Sequence, residues 1–389
     1  MTQNHFFIVC VLLAIEIFIL VISSHRNFKR YFQLLPSVFW IYFLPMLAST
    51  LGVIDGKNPL YAKLTTYLLP PSLFILLMTV DVRAILRLGK IALIMFFAGS
   101  LGIVLGAPLV FSLFKKWIGA DFWSGFGALS GSWSGGSANM IAVKESLNVP
   151  DPIFLPMVVV DTVVPYFWMG ILVALSGLQI YFDRWNRSDR AVLDELGQRV
   201  ATIFIQEKKI RFGATILILA LAAFAGYLAQ FLAEFLPVIE DMISTYAWTI
   251  ILVSFLGISL SFTPARNLER FHSTKIGYFL LYFVLTSIGA RADLSNIPSS
   301  AILILAGFLI VFIHFIFLLT VAKMIKAPFF LVATASQANI GGVASAPIVA
   351  EIYQSGLASV GLLLAILGNI VGTYFGIIAG QLCRAFSSG

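Results

Sequence analysis

The sequence predicts an all-α polytopic membrane protein made of two inverted repeats, each with about five crossing helices plus one broken or re-entrant helical segment. Composition is the first reason. The 389 residues are 60% hydrophobic and 11% charged, with a mean hydropathy of +0.97, whereas soluble domains carry charge on roughly a quarter of their residues. The second reason is spacing, because apolar runs of about 20 residues, enough to cross a bilayer, recur from end to end. The third is a pair of small-residue, amide-rich interruptions, 130–139 (SGSWSGGSAN) and 335–344 (ASQANIGGVA). Lipid cannot bond the N–H and C=O groups that such breaks release, so they survive only where protein or water surrounds them.

Taken in order, the apolar runs lie near 5–23, 36–54, 60–80, 90–114, 152–181, 212–236, 244–263, 273–289, 298–322 and 357–383, with the broken segments near 121–147 and 327–350. The first run has no positive segment before it and is followed by His25, Arg26, Lys29 and Arg30. It reads as a retained span starting outside, not a cleaved signal peptide. Between residues 183 and 211 lies the one long polar stretch, with Arg184, Arg187, Arg190, Arg199, Lys208, Lys209 and Arg211 set against Asp183, Asp189, Asp194, Glu195 and Glu207. We read it as a partly helical cytoplasmic linker joining a first repeat, 1–182, to a second, 212–389.

Internal similarity supports the duplication. Residues 77–84 (LMTVDVRA) are answered by 285–292 (LTSIGARA), which aligns Arg83 with Arg291, and the pair Gly135-Gly136 aligns with Gly341-Gly342. From Gly136 to Gly170 and from Gly342 to Gly376 the spacing is the same. If all twelve segments crossed, the basic loops could not share one side. If the two broken segments enter and return, ten crossings remain, the repeats are inverted, and the loops at 25–30, 83–90, 183–211, 266–275 and 323–326 all face the cytoplasm. Asp55, Glu240-Asp241 and both termini then lie outside, and Lys115-Lys116 alone violates the pattern.

Glycines alone in the breaks would mean close helix packing. Their polar company points instead to a solute site, because such groups are costly to bury without partners. The expected solute contacts are Ser132, Ser134, Gly135, Gly136, Ser137 and Asn139 in the first break, and Ser336, Gln337, Asn339, Gly341 and Gly342 in the second, with Ser345 beside them. Glycine lets a ligand approach the chain, half-helix N-termini offer donors to anions, and freed carbonyls suit Na⁺. Asp161, deep in an apolar run, corresponds to Asn369 in the second half. With Thr162 and Thr373 they form the candidate coupling-ion set, against the alternative that Asp161 bonds the broken backbone structurally. Arg83 and Arg291 read as snorkelling residues at span ends, with substrate clamping as the lesser option. Glu16 is an unassigned mid-span charge. His314 reads as a satisfied packing residue with a titrating role left open. Lys144-Glu145 and Glu351 flank the breaks in register, where an aqueous mouth would place them.

Residues 133–140 (WSGGSANM) with Lys144-Glu145, and 335–342 (ASQANIGG), resemble signatures of the YjcL-type family of bacterial integral membrane proteins. More distantly, the arrangement is similar to the sodium/glutamate and 2-hydroxycarboxylate symporter families. That resemblance implies an elevator-like transporter with a mobile domain carrying two hairpins and a static domain that often dimerises. The chain departs from those symporters in having asparagine-rich rather than Gly-Gly-His signatures, so their substrate ligands do not transfer.

The expected function is cation-coupled (Na⁺ or H⁺) secondary transport of a small polar, anionic or zwitterionic solute such as an amino acid, organic acid or short peptide, across a bacterial inner (plasma) membrane. A channel or passive pore is the alternative, and a non-transporting scaffold the third. Enzymatic activity is not expected: P-loop, His-Glu-x-x-His and Cys-x-x-Cys motifs are missing, and Ser132 or Ser134 has no histidine in its segment to act as base. No cofactor or metal is expected beyond the coupling ion, since Cys10 and Cys383 lie at opposite ends. Net charge is +7, but no basic patch interleaved with exposed aromatics accompanies it, so nucleic acid is excluded as a partner. The expected partners are the solute, membrane lipid and a second copy in a homodimer.

Overall fold

A computed structural model describes residues 4–25, 27–28, 32, 37–189, 191–200, 212–238, 244–291 and 300–387. Of the charges placed above, Arg26, Lys29, Arg30, Arg190, Glu207, Lys208, Lys209, Arg211, Glu240 and Asp241 lie outside the described residues.

The α-helices are α1 (His5–Ser24), α2 (Ser37–Thr50), α3 (Leu60–Met78), α4 (Val82–Leu86), α5 (Lys90–Ile118), α6 (Trp123–Gly135), α7 (Ser137–Ser146), α8 (Asp151–Leu175), α9 (Gln179–Asn186), α10 (Ala191–Val200), α11 (Phe212–Ala233), α12 (Thr245–Ser261), α13 (Ser273–Arg291), α14 (Ser300–Ile325), α15 (Phe329–Ile340), α16 (Gly342–Tyr353) and α17 (Ala358–Ser387). Each expected apolar run is thus a helix within a few residues of its predicted bounds, and α9 and α10 supply the helical part of the linker. Eight helices among the described residues are long and apolar enough to cross a bilayer. A ninth arises if α12 and the 3₁₀ turn Pro264–Phe271, bent by 93°, count together.

Side-chain caps explain several starts. Asn4 accepts the Phe6 N–H at the head of α1, Asp81 the Ala84 N–H of α4, and Ser244 the Ala247 N–H of α12. Each satisfies one of the donors a helix start leaves open.

The chain divides into two compact units, and both draw on both sequence halves. One comprises residues 1–79, 148–162 and 207–300, the other 80–147, 163–206 and 301–389. In the first unit α13 packs on α3 and α2, and α12 and α11 pack on α3. Ile8, Leu12, Ile54, Tyr61, Phe283 and Ala290 form an apolar core there. Gly257 sets the spacing of α12 on α3, because a Cβ on it would lie 2.9 Å from Leu77 Cβ. Arg291 and Asp151 pair at 3.7 Å within this unit.

The second unit contains both broken segments, and each folds back on itself. A Cβ placed on Gly127 would lie 2.7 Å from Leu147 Cδ1, and one on Gly131 2.7 Å from Val143 Cγ2, so α6 and α7 run side by side. The rings of Phe329 and Tyr353 are 5.8 Å apart, although a straight helix would separate those positions by about 36 Å. α15 and α16 therefore form a second helix–break–helix hairpin.

Against the first hairpin lies α17, along a seam of glycines at every fourth position. Gly127, Gly131 and Gly135 of α6 meet Gly372, Gly376 and Gly380 of α17; a Cβ on Gly376 would sit 2.7 Å from Gly131 Cα, and one on Gly372 2.5 Å from Gly135 Cα. Close backbone approach of this kind is how helices associate where lipid supplies no hydrophobic drive. The sequence alignment of Gly170 with Gly376 does not extend to packing, because nothing lies within 4 Å of a Cβ on Gly170.

Candidate functional site: the two hairpin tips

Gly136 makes the first tip. Its φ of 84° and ψ of 176° belong to a region open essentially to glycine alone. The Gly136 N–H closes α6 on the Ser132 carbonyl at 2.5 Å, and its own carbonyl opens α7 by accepting from the N–H groups of Asn139 and Met140 at 3.0 and 3.2 Å. At the second tip the Gly341 N–H closes α15 on the Gln337 carbonyl at 2.8 Å, and Gly342 turns the chain at a φ of 59°. The two positive-φ glycines stand at the same relative position as the glycine pairs matched in the sequence.

Both tip asparagines are occupied, by backbone groups and by a neighbouring hydroxyl. Asn139 Nδ2 donates to the Gly135 carbonyl at 2.5 Å and to the Asn369 carbonyl at 3.4 Å. Its Oδ1 accepts the Thr373 N–H at 2.9 Å and the Thr373 hydroxyl at 2.6 Å. Residues 369 and 373 are one i→i−4 step of α17, so Asn139 inserts into that ladder and pins hairpin one to it. Asn339 pins hairpin two to α5 through one backbone carbonyl and one hydroxyl. Its Nδ2 donates to the Ala335 and Phe96 carbonyls at 2.9 and 3.2 Å, and its Oδ1 accepts the Ser100 hydroxyl at 2.6 Å.

Ser336 is also occupied. It accepts the Trp168 indole N–H at 2.9 Å and meets His314 Nε2 at 2.9 Å, while His314 Nδ1 lies 2.8 Å from the Gly99 carbonyl. A carbonyl only accepts, so Nδ1 carries a hydrogen, and on a neutral ring Nε2 then takes the Ser336 hydroxyl. His314 is thus a fully bonded, buried residue, as the packing reading expects. Gln337 donates through Nε2 to Ser345 Oγ at 2.7 Å and to the Pro165 carbonyl at 3.4 Å.

Four buried polar atoms of the two hairpins have no hydrogen-bond partner among the described residues: Trp133 Nε1 and Ser134 Oγ beside the first tip, Gln337 Oε1 one turn before the second, and Thr334 Oγ1 a further turn back on α15. Such atoms are rare in native structures and call for a bound group or water. Ser134 and Gln337 were legible as candidates. Trp133 and Thr334 were not, because a tryptophan and a threonine in an apolar helix read as packing.

The remaining candidates divide. Ser137, at the head of α7, and Asn369 are partly buried, and a Cβ on Gly136 would lie 3.5 Å from Asn369 Oδ1. Ser132 is buried and supplies the backbone carbonyl already described. Asp161 and Thr162 belong to the first compact unit, Asn369 and Thr373 to the second. Thr162 donates its hydroxyl to the Val158 carbonyl of its own helix at 2.8 Å. Lys144, expected at an aqueous mouth, is buried and pairs with Glu145 at 3.2 Å, whereas Glu351 is exposed and accepts from Ser355 Oγ and the Gly356 N–H, both at 3.0 Å. Arg83 is exposed, not at the end of α3 but in the short helix α4 that follows it.

Crossing-length apolar helices with two glycine-hinged hairpins define a multi-pass, all-helical membrane protein. This chain belongs to the family described as "Protein of unknown function (DUF819)", whose pattern matches residues 10–386. It is similar to the uncharacterized membrane protein YjcL of Bacillus subtilis (strain 168), with 26% identity over 356 residues covering 88% of each chain.

Proposed function

We propose that this protein is a cation-coupled secondary transporter of a small polar solute, zwitterionic or anionic, working by elevator-like alternating access in a bacterial inner membrane. One observation carries the reading: both hairpins, with the helices that pin them, lie in a single compact unit and bury unmet hydrogen-bonding groups near their tips. Paired breaks at membrane depth are where transporters hold their solutes. The unmet groups are complementary. Hairpin one offers an indole donor and a hydroxyl, hairpin two a carbonyl acceptor and a hydroxyl, which together suit a solute with an anionic end and an N–H-bearing end. Inverted repeats, a homodimer built on the other unit, the absence of enzymatic activity and of any cofactor besides Na⁺ or H⁺ complete the reading. Coupling through Asp161 is part of it.

Reconstituted full-length protein tests it. Uptake of labelled amino acids, organic acids and dipeptides should saturate and should follow an imposed Na⁺ or H⁺ gradient. Asp161→Asn should remove that gradient dependence while the protein still inserts. Single-channel conductance would replace the carrier with a pore, and no flux of any solute would leave a scaffold.

A further inference from the structure

We infer that Gln337 Oε1 and the Thr334 hydroxyl, one turn apart on α15, receive a monovalent cationic group, either the coupling Na⁺ or the ammonium head of the solute. The inference deepens the transport reading and rests on it.

The orientation of Gln337 is fixed by chemistry. The Pro165 carbonyl can only accept, so the end of the Gln337 amide that faces it at 3.4 Å must be the nitrogen. The nitrogen's second bond, to Ser345 Oγ at 2.7 Å, holds that end in place. The oxygen is thereby turned away from both, fully buried and without a donor. A flipped amide would set its oxygen against the Pro165 carbonyl and keep only the Ser345 hydroxyl as a partner, one bond in place of two.

Thr334 is the second oxygen. It stands three residues before Gln337, a spacing that puts two side chains on one helix face. Its hydroxyl is fully buried with no partner, whereas other helix threonines of this chain donate to a carbonyl of the preceding turn: Thr65, Thr162, Thr286 and Thr320 all do.

Two buried oxygens without a partner can both accept, so a group that brings positive charge or donated hydrogens suits them. α15 ends three residues after Gln337, and the carbonyls of a last helical turn carry partial negative charge that favours a cation. The charge of that cation is bounded as well. Neither oxygen is a carboxylate, α15 carries no acidic residue, and no cluster of three metal-ligating side chains occurs among the described residues. A divalent ion, which such oxygen sites hold through carboxylates, is therefore disfavoured against Na⁺ or an ammonium.

The experiment uses full-length protein in detergent, with the thermal unfolding midpoint read in NaCl or methylammonium chloride against choline chloride at equal ionic strength. Choline has no N–H and is too large for a two-oxygen seat, so it serves as the blank. Wild type should be stabilised by one or both test cations, since a ligand that binds only the folded state raises its stability. Stabilisation by NaCl alone assigns the seat to the coupling ion, and by methylammonium alone to the solute's head. Thr334→Val keeps the shape and breaks no bond, and should raise the concentration for half-maximal stabilisation by about tenfold or more, the effect of losing one hydrogen bond to a charged group. Thr334→Ser should stay within about threefold of wild type, because the hydroxyl returns. If Thr334→Val does not fold, Thr334→Ala carries the same expected loss. Unchanged half-saturation in the hydroxyl-less variant, or no stabilisation of wild type by either cation, overturns the assignment. The transport reading is judged separately by gradient-driven uptake, which can stand when this assignment falls.

Discussion

The pin between hairpin one and α17 yields the sharpest prediction. Asn139 and Thr373 are both 3% exposed, and two of the four hydrogen bonds of the asparagine, at 2.9 and 2.6 Å, run to Thr373. Truncation in Asn139→Ala removes all four and leaves the Thr373 hydroxyl to find another acceptor. The nearest repair is the Asn369 carbonyl one turn back, which the lost amide also vacates, so the cost falls short of the sum. We expect Asn139→Ala to lose about 2 to 3 kcal/mol and Thr373→Val about 1 kcal/mol. Buried side-chain bonds in membrane proteins average about 0.6 kcal/mol with a maximum near 1.7. Thr373→Val removes the hydroxyl's bond and keeps that of the backbone N–H, so the pair should couple by about 1 kcal/mol, the double variant being less destabilised than the two singles together. The assay is equilibrium unfolding in detergent followed by tryptophan fluorescence. Additivity within about 0.5 kcal/mol would show that the pin does not operate and that Asn139 is free for another role.

Gly136→Ala should destabilise the protein by about 1 to 3 kcal/mol, because its backbone angles exclude a Cβ; Gly342→Ala, at a φ of 59° with nothing within 4 Å, should cost only about 1 kcal/mol. The same unfolding assay ranks them, and the reverse order would refute the hinge geometry. Gly376→Val would press a side chain against Gly131 Cα, 2.7 Å from its Cβ, and should cost about 3 kcal/mol or more, whereas Gly170→Val should fold normally. Yields of monodisperse protein distinguish the pair.

The helices were legible because hydrocarbon imposes one rule, that backbone bonds close within the segment. The breaks were legible for the same reason read in reverse: polar side chains beside paired glycines contradict it. What the side chains do there was not. Asn139 and Asn339 look like ligands in sequence, since nothing in a linear string says that the i→i−4 step of a distant helix will be offered to them. Thr334 and Trp133 look like packing, since an unmet hydroxyl or indole N–H is defined only by what fails to surround it. The seam could have been seen. Four glycines at every fourth position from 368 to 380 advertise a helix face without side chains, and only their partner strip on α6 needed three dimensions.

The glycine strip between α6 and α17 also limits what mutational surveys can report. Along that contact hydrogen atoms stand where any other residue puts carbon, so exchanges at Gly131, Gly372 or Gly376 should disturb helix packing before they touch any binding chemistry. Loss of uptake after such an exchange is an inventory of misassembly and says nothing about solute recognition. Reporter groups belong instead at Gly177 and Gly213, where open space surrounds an ordinary backbone and a label can watch the protein without jamming it.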